Sequence, residues 1–225
     1  MISINHSQIR TEAGLLSAEL RPAVLVADLV TVLLFILLFT VLSLFSVNAF
    51  AESVVSSTGN KMPRDPMEHF FHQSFNDLAE ELDIVAEENK KGVFIMFTDK
   101  DCPWCAKMKV TVMNQVAVQD YYQEHFRVLT IDIRGDAMIV DFDGNEISEK
   151  DFAFKQHRVR ATPVVMFFDT SGKKMMRFTG IVRDVKEFLW MGEYVVNDEF
   201  KKMNFTKYKR ERKKQDQLVT LGESS

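Results

Sequence analysis

Hydrophobic and polar residues alternate along the chain with two different periods, which predict a succession of helices and strands. Between Phe70 and Asn89, apolar residues return every three or four positions with acidic residues between them, a spacing that predicts an amphipathic helix. Short apolar runs rich in β-branched and aromatic residues are typical of buried strands. Such runs stand at residues 93–98, 126–133, 163–169 and 173–180.

Local turn chemistry predicts further helices and two hairpins. One helix is predicted to follow the first strand and to end near Gln115. Three more are predicted over Val116–His125, Glu149–His157 (capped by Ser148) and Asp184–Asn197. Asp143-Gly144, inside the insertion 134–148, and Ser171-Gly172 lie between apolar runs and predict hairpins. The strand, helix and strand between residues 93 and 133 form a unit that normally has parallel strands.

The first 51 residues have a different pattern. Residues 29–47 are apolar without a charge, and Ala49 and Ala51 form the small-x-small pattern of a signal-peptidase site. Residues 1–51 are therefore predicted to be a signal cleaved near Ala51 or an uncleaved anchor, because about 19 apolar residues can just span a bilayer. Both alternatives predict a periplasmic or other extracytoplasmic location. Residues 52–66 contain turn formers and two prolines, which predict a linker.

Composition narrows the function only slightly. The chain has 225 residues and a net charge of −4, which gives no indication of a nucleic-acid partner. Its two cysteines are too few for a disulfide scaffold. Residues 201–225 begin with many lysines and arginines, and are predicted to be a basic helix end or tail in solvent. Contact of this segment with anionic lipid or an acidic partner is the alternative.

Both cysteines lie in one motif, Cys102-Pro103-Trp104-Cys105, between the apolar run 93–98 and a helical segment. A thiol there faces the unpaired N–H groups and positive dipole end of the helix, which favour the thiolate. Pro103 suits the first helical turn, where its missing N–H costs nothing. Cys102 is the candidate exposed attacking sulfur and Cys105 the candidate buried resolving sulfur of thiol–disulfide exchange. Trp104 is expected to shape the rim around Cys102, or only to pack beside the helix start.

Other roles for such a cysteine pair are a zinc site, a structural disulfide or a Cu(I) carrier, which would be a binding module. A Cys/His zinc site needs four ligands, and the five histidines do not repeat a ligand spacing near the cysteines. His69 and His72 are predicted to lie at a solvated helix end, and His157 at the surface. The strand–CxxC–helix context favours the redox interpretation, without a metal and without a cofactor other than the cysteine pair.

A second motif, Thr162-Pro163, opens a strand far from the cysteines. Together with Cys102–Cys105, the order of elements resembles the thioredoxin fold over residues 67–200: α/β, with a mixed sheet flanked by helices and residues 134–148 as a hairpin insertion. The resemblance implies that Pro163 is cis and packs against the cysteine pair, and that the backbone of Thr162 pairs with a substrate segment. The implied partners are proteins that carry disulfides.

Within that superfamily the sequence looks most like the exported SoxW-type thioredoxins. Besides the Cys-Pro-x-Cys turn, the matching pieces are Ile131–Gly135, Val140–Gly144, Val159–Pro163 and Tyr194-Val195. The resemblance implies a reductase that serves sulfur-oxidation proteins or cytochrome c maturation, and a membrane electron donor of the DsbD or CcdA type. A DsbA- or DsbC-like oxidase or isomerase is the alternative, because a proline after the first cysteine also occurs in such oxidases.

The sequence departs from cytoplasmic thioredoxins at two places. Those proteins have Gly-Pro between the cysteines and a buried aspartate six residues before the first cysteine, whereas this chain has Pro103-Trp104 and Met96. The group that accepts the proton of Cys105 is therefore not assigned by the resemblance. The candidates are Asp99, Lys100, Asp101 and water.

Overall fold

The computed structural model describes residues 62–222. The predicted signal or anchor and almost all of the predicted linker lie outside the described residues. No helix within the described range is long and apolar enough to cross a membrane.

The centre of the fold is a four-stranded mixed sheet. Its strands are β1 (Gly92–Thr98), β2 (Phe126–Asp132), β5 (Val164–Phe168) and β6 (Lys174–Thr179). Their order is β2-β1-β5-β6, with β2 parallel to β1 and the other pairs antiparallel. A separate hairpin is formed by β3 (Met138–Val140) and β4 (Glu146–Ser148). The predicted α/β architecture, with its parallel first pair and hairpin insertion, is confirmed.

Helices flank this sheet and begin at residues suited to cap them. They are α1 (Pro66–His69), α2 (Leu78–Glu87), α3 (Pro103–Thr111), α4 (Val116–His125), α5 (Glu149–Asp151), α6 (Val185–Val196) and α7 (Phe205–Gly222). The side chains of Ser148 and Asp184 accept N–H groups of α5 and α6, as N-caps do. A π-helical turn (Phe152–Gln156) continues α5, and a 3₁₀ turn (Glu199–Lys201) follows α6.

The single helix predicted from Phe70 to Asn89 is wrong in its first half. Only α2 is helical there, and Phe75, expected on its apolar face, is 95 % exposed. The preceding residues instead run along the edge of β2, where the His72 N–H donates to the carbonyl of Val128 over 2.8 Å. Asn76 then adopts a left-handed φ of 64°, which separates this stretch from α2. Hydrogen bonding to the edge of β2 thus prevents residues 70–76 from forming the helix that their apolar spacing predicts.

Two histidines differ from their predicted surface roles. His72 accepts the Val128 N–H at Nδ1, and burial lowers its pKa to about 4. The His157 ring packs against Phe97, Phe152 and Phe168, and burial lowers its pKa to about 4 as well. Both are therefore held as neutral structural side chains at neutral pH.

Helix ends and the C-terminal segment also differ from expectation. Helix α3 stops at Thr111 instead of near Gln115, and the helix predicted to reach His157 is α-helical only in its first turn. The basic C-terminal segment forms the 18-residue α7. Its Tyr208 is buried against Tyr194, and Lys209 pairs with Glu187 over 2.7 Å. This segment is thus anchored along α6.

The two faces of the sheet are covered by different sets of elements. The redox face packs α3, α4 and α6 on alternate residues of β1, β2 and β5; its largest buried side chains are Phe70, Phe94, Tyr122, Phe126, Phe167 and Phe188. The hairpin face packs α2, the hairpin and the π-helical turn on the intervening residues; it includes Leu78, Val85, Ile95, Phe97, Ile139, Phe152 and Phe168. Both cysteines belong to the redox face.

Candidate active site

The Cys-Pro-Trp-Cys motif forms the start of α3, as the sequence predicts. Cys102 is the N-cap in an extended conformation, and Pro103 occupies the first turn. Cys102 and Cys105 are joined by a disulfide. The Cys105 N–H donates to Cys102 Sγ over 3.1 Å, so the sulfur already accepts one of the unpaired N–H groups of the helix start. This position stabilises negative charge on Cys102 when the pair is reduced.

The two cysteines differ in accessibility. Cys102 is 8 % exposed and Cys105 is 2 % exposed, because both pack into the redox face. The predicted order of exposure is correct, but Cys102 is less exposed than the motif alone suggests. Trp104, between them, is 50 % exposed and stands at the surface beside the pair.

The strand register brings the Thr162-Pro163 motif to the end of the sheet where the cysteine pair lies. Phe97 near the end of β1 is opposite Val164 at the start of β5, so the preceding Pro163 lies beside the turn that carries the cysteines. The Thr162–Pro163 bond is cis, as the resemblance implies. Pro163 is buried, and its carbonyl accepts the Gly180 N–H over 2.9 Å, which ties the loop after β6 to this place.

An ion pair that sequence reasoning missed fixes the turn before Cys102. Asp99 is buried, and its Oδ2 lies 2.7 Å from Arg134 Nε. Its Oδ1 accepts the Asp101 N–H over 3.0 Å. The Asp99 carbonyl also accepts the Cys102 N–H over 3.0 Å. The signal was available, because β1 and β2 are parallel and the residues after their carboxyl ends must meet.

The possible proton acceptors occupy distinct environments. Met96 is fully buried in the redox face at the position where cytoplasmic thioredoxins have an aspartate. Asp99 is engaged by Arg134, whereas Lys100 and Asp101 are exposed. Glu149, which sequence reasoning did not single out, accepts the Asp132 N–H over 3.3 Å, and burial raises its pKa.

Nothing in the described part of the chain groups three or more His, Cys, Asp or Glu side chains closely enough to hold a metal ion. The two cysteine sulfurs at this end of the sheet offer thiol–disulfide exchange: as a dithiol the pair reduces a partner's disulfide, and as a disulfide it oxidises a partner's dithiol.

The profile of the thioredoxin-like domain family matches residues 78–196, which is just over half of the chain. The chain belongs to this family. It is a thioredoxin-like thiol–disulfide oxidoreductase with Cys102 and Cys105 as its CXXC pair, and its partners are proteins that carry disulfides.

Several solved structures resemble the chain at low identity. A thioredoxin-fold protein of Helicobacter pylori is 23 % identical, with 58 % of this chain and 87 % of that chain covered and a TM-score of 0.49. The DsbD C-terminal domain of Neisseria meningitidis is 20 % identical over 51 % and 90 %, with a TM-score of 0.40. A thioredoxin of Thermus thermophilus is 19 % identical over 57 % and 88 %, with a TM-score of 0.44. No curated protein matches the chain.

Proposed function

We propose that this protein is an exported reductase of protein disulfides, similar to the SoxW-type thioredoxins. The observation that carries the proposal is the cysteine pair at the start of α3, with Cys102 as the more accessible sulfur and cis-Pro163 in the neighbouring loop. A sulfur at a helix N-terminus is stabilised as the thiolate, which is the attacking species in disulfide exchange.

The proposed reaction has two steps. The Cys102 thiolate attacks one sulfur of a substrate disulfide, which forms a mixed disulfide and releases the other substrate sulfur as a thiolate. Cys105, after losing its proton, then attacks Cys102 Sγ and releases the second substrate sulfur. The substrate gains two electrons and two protons, and the Cys102–Cys105 pair is left as the disulfide seen here.

The other residues of the motifs have positioning roles in this proposal. Pro103 begins α3 at a position that needs no N–H donor, and so holds the first turn in place. The backbone of Thr162 pairs with the extended substrate segment, Pro163 packs beside the disulfide, and Trp104 forms the rim that the substrate touches.

The inserted segment supports a reductase over a DsbA-like oxidase. Between β2 and β5 the chain forms only the β3–β4 hairpin, α5 and a π-helical turn. A DsbA-type oxidase has a large helical domain inserted there. The direction of electron flow is nevertheless a thermodynamic property, which the reduction potential of the cysteine pair decides.

Export and the partners are proposed from the N-terminal sequence and the SoxW resemblance. The apolar residues 29–47, followed by Ala49 and Ala51, support a location outside the cytoplasm, with the domain either released or anchored. The substrates would then be sulfur-oxidation proteins or proteins of cytochrome c maturation. A membrane protein of the DsbD or CcdA type would return the oxidised pair to the dithiol. Fractionation and N-terminal sequencing of the mature protein test this: cytoplasmic protein with its original N-terminus would contradict export.

The decisive experiment is the reduction potential of the Cys102–Cys105 pair in the full chain, equilibrated against glutathione or dithiothreitol. We expect a value near that of thioredoxin, about −270 mV. A value near that of DsbA, about −120 mV, would contradict a reductase and assign the protein to the oxidases or isomerases.

A further inference from the structure

Two arginines stand on loops beside the cysteine pair, each against an exposed aromatic ring. The Arg183 guanidinium lies 5.6 Å from the ring centroid of Trp104, and the Arg160 guanidinium lies 5.4 Å from that of Phe154. Both rings are about half exposed. Arg160 belongs to the loop that ends in cis-Pro163, and Arg183 to the loop after β6, so the two cations are on separate loops at the same end of the sheet.

The charge at this end of the sheet opposes the charge of the whole chain. Residues 98–104, 133–137, 158–163 and 180–184 contain five basic and four acidic side chains, although the chain as a whole has a net charge of −4. Three of the four carboxylates are already engaged, Asp99 by Arg134, Asp136 by Lys150 and Asp184 by the Glu187 N–H. Within residues 62–222, no carboxylate lies within ion-pair distance of Arg160 or Arg183.

Stacking on a ring leaves the binding edge of a guanidinium unused. An arginine that lies over an aromatic face is held in place by the ring, while its N–H groups point outward in the plane of the guanidinium. That edge matches a carboxylate through two parallel hydrogen bonds, which the single ammonium of a lysine does not reproduce. Arg160 and Arg183 each carry such an edge, on loops at the end of the sheet where Cys102 lies.

We infer that Arg160 and Arg183 select substrates whose disulfide is flanked by acidic residues. The inference rests on the proposed exchange at Cys102, and it holds for either direction of electron flow. Arg160 stands two residues before Thr162, and Arg183 lies over Trp104 between the two cysteines, so a substrate segment that pairs with Thr162 and reaches Cys102 passes near both. Glutamate or aspartate next to the substrate cysteine then reaches one of the two guanidinium groups.

The test compares two synthetic peptides, each closed by one disulfide and identical except for glutamates or lysines beside the cysteines. Full-length protein, purified in mild detergent and reduced beforehand, is mixed with each peptide, and the second-order rate of exchange is measured. We expect the acidic peptide to react about tenfold faster at low salt, with a smaller ratio in 0.5 M salt. The net charge of −4 acting alone predicts the opposite preference.

Charge reversal assigns the preference to these arginines. The double variant R160E/R183E is expected to invert the ratio between the two peptides. The matched control is R210E/K213E, which makes the same total charge change at two exposed residues of α7 and is expected to keep the wild-type ratio. The lysine variant R160K/R183K is expected to retain a reduced preference for the acidic peptide.

The outcomes separate the inference from the proposed function. Equal rates for the two peptides, or an equal loss of both rates in R160E/R183E, would overturn the inference while exchange at Cys102 stands. A wild-type protein that does not react even with the neutral bis(2-hydroxyethyl) disulfide would overturn the proposed exchange, and the inference with it.

Discussion

The two faces of the sheet are stabilised in different ways. The redox face is closed by three regular helices, α3, α4 and α6, over a cluster of aromatic side chains; Tyr122 and Phe188 stack with centroids 4.7 Å apart, and Phe94 meets Phe167 edge-on at 5.1 Å. The hairpin face is closed by one regular helix, α2, together with the hairpin and short turns, and it contains more polar anchors. These are the Glu81–Arg127 ion pair, the Asp141 carboxylate with its hydrogen bonds in the β3–β4 loop, and the His157 ring.

This difference follows from what each face must do. A catalytic pair at a helix start needs a platform that does not move; tight apolar packing under α3 and α4 supplies it, while the Asp99–Arg134 ion pair fixes the turn before Cys102. Short elements bury too little apolar surface to fix themselves, so the hairpin loop depends on hydrogen bonds. Asp141 accepts the N–H groups of Asp143 and Asn145 and the side-chain amide of Gln156. The hairpin face should therefore respond to charge and pH, and the redox face to lost volume.

The largest effect is expected from Cys102→Ser, which changes the chemistry of the redox face without changing its packing. Disulfide exchange should fall by at least about a thousandfold, because the attacking thiolate is gone. The assay is turnover of a protein disulfide with excess dithiothreitol. Cys105→Ser is the matched variant: reduced, freed of dithiothreitol and mixed with the substrate, it should still attack and accumulate a mixed disulfide visible by mass spectrometry. Full activity of Cys102→Ser would contradict the mechanism.

Phe94→Ala tests the aromatic packing of the redox face. Phe94 is fully buried between Phe70, Tyr122, Phe167 and Phe188, so truncation should lower the free energy of unfolding by about 4 kcal/mol. Urea titration measures the loss, which should be similar at pH 7 and pH 5. Phe94→Leu, which keeps most of the volume, should lose much less. A strong pH dependence of the loss would contradict the proposed contrast between the faces.

The Glu81–Arg127 ion pair tests the polar packing of the hairpin face. Arg127 Nε lies 2.6 Å from Glu81 Oε2, and both side chains are almost fully buried. Glu81→Ala should lower the free energy of unfolding by about 3 kcal/mol, because Arg127 is left buried without its partner. Glu81→Met/Arg127→Met together should recover most of the loss. Additive losses in this double-mutant cycle would show that the pair is not coupled.

The smallest effect concerns His157 and acid. Its pKa is lowered from 6.5 to about 4 by burial, so the folded protein holds it neutral while the unfolded chain protonates it. Its stabilising contribution is complete above pH 6.5 and is lost as the pH falls towards 4. His157→Phe should therefore be more stable than wild type at pH 4.5, by about 1 kcal/mol given partial solvent screening. Thermal unfolding between pH 4.5 and 7 measures this.

The exposed His69→Gln is the control for that series and should keep the wild-type dependence on pH. If His157→Phe and wild type lose stability in parallel between pH 7 and 4.5, His157 is not the source of the acid sensitivity.

Much of the fold was predictable because its signals are local. The strands of the sheet, the β3–β4 hairpin and the cap Ser148 follow from period and turn chemistry within a few residues of each element. The positions of Cys102, Cys105 and Pro163 were equally predictable, because both motifs lie at the ends of apolar strands that the sequence pattern predicts clearly. The roles assigned to Trp104 and Thr162 are still predictions.

The sequence by itself determined the alternation of elements, the placement of the cysteine pair at a helix start and the thioredoxin-like arrangement. Only the tertiary structure decided that Phe75 is exposed and that His72 binds the edge of β2. The reason is that hydrogen bonds to this strand edge compete with helix formation in the same segment. The Asp99–Arg134 pair and the contact of Arg183 with Trp104 likewise join loops that are distant in sequence. A hydrophobic period determines which face of an element is buried, whereas contacts between loops follow from strand order and register.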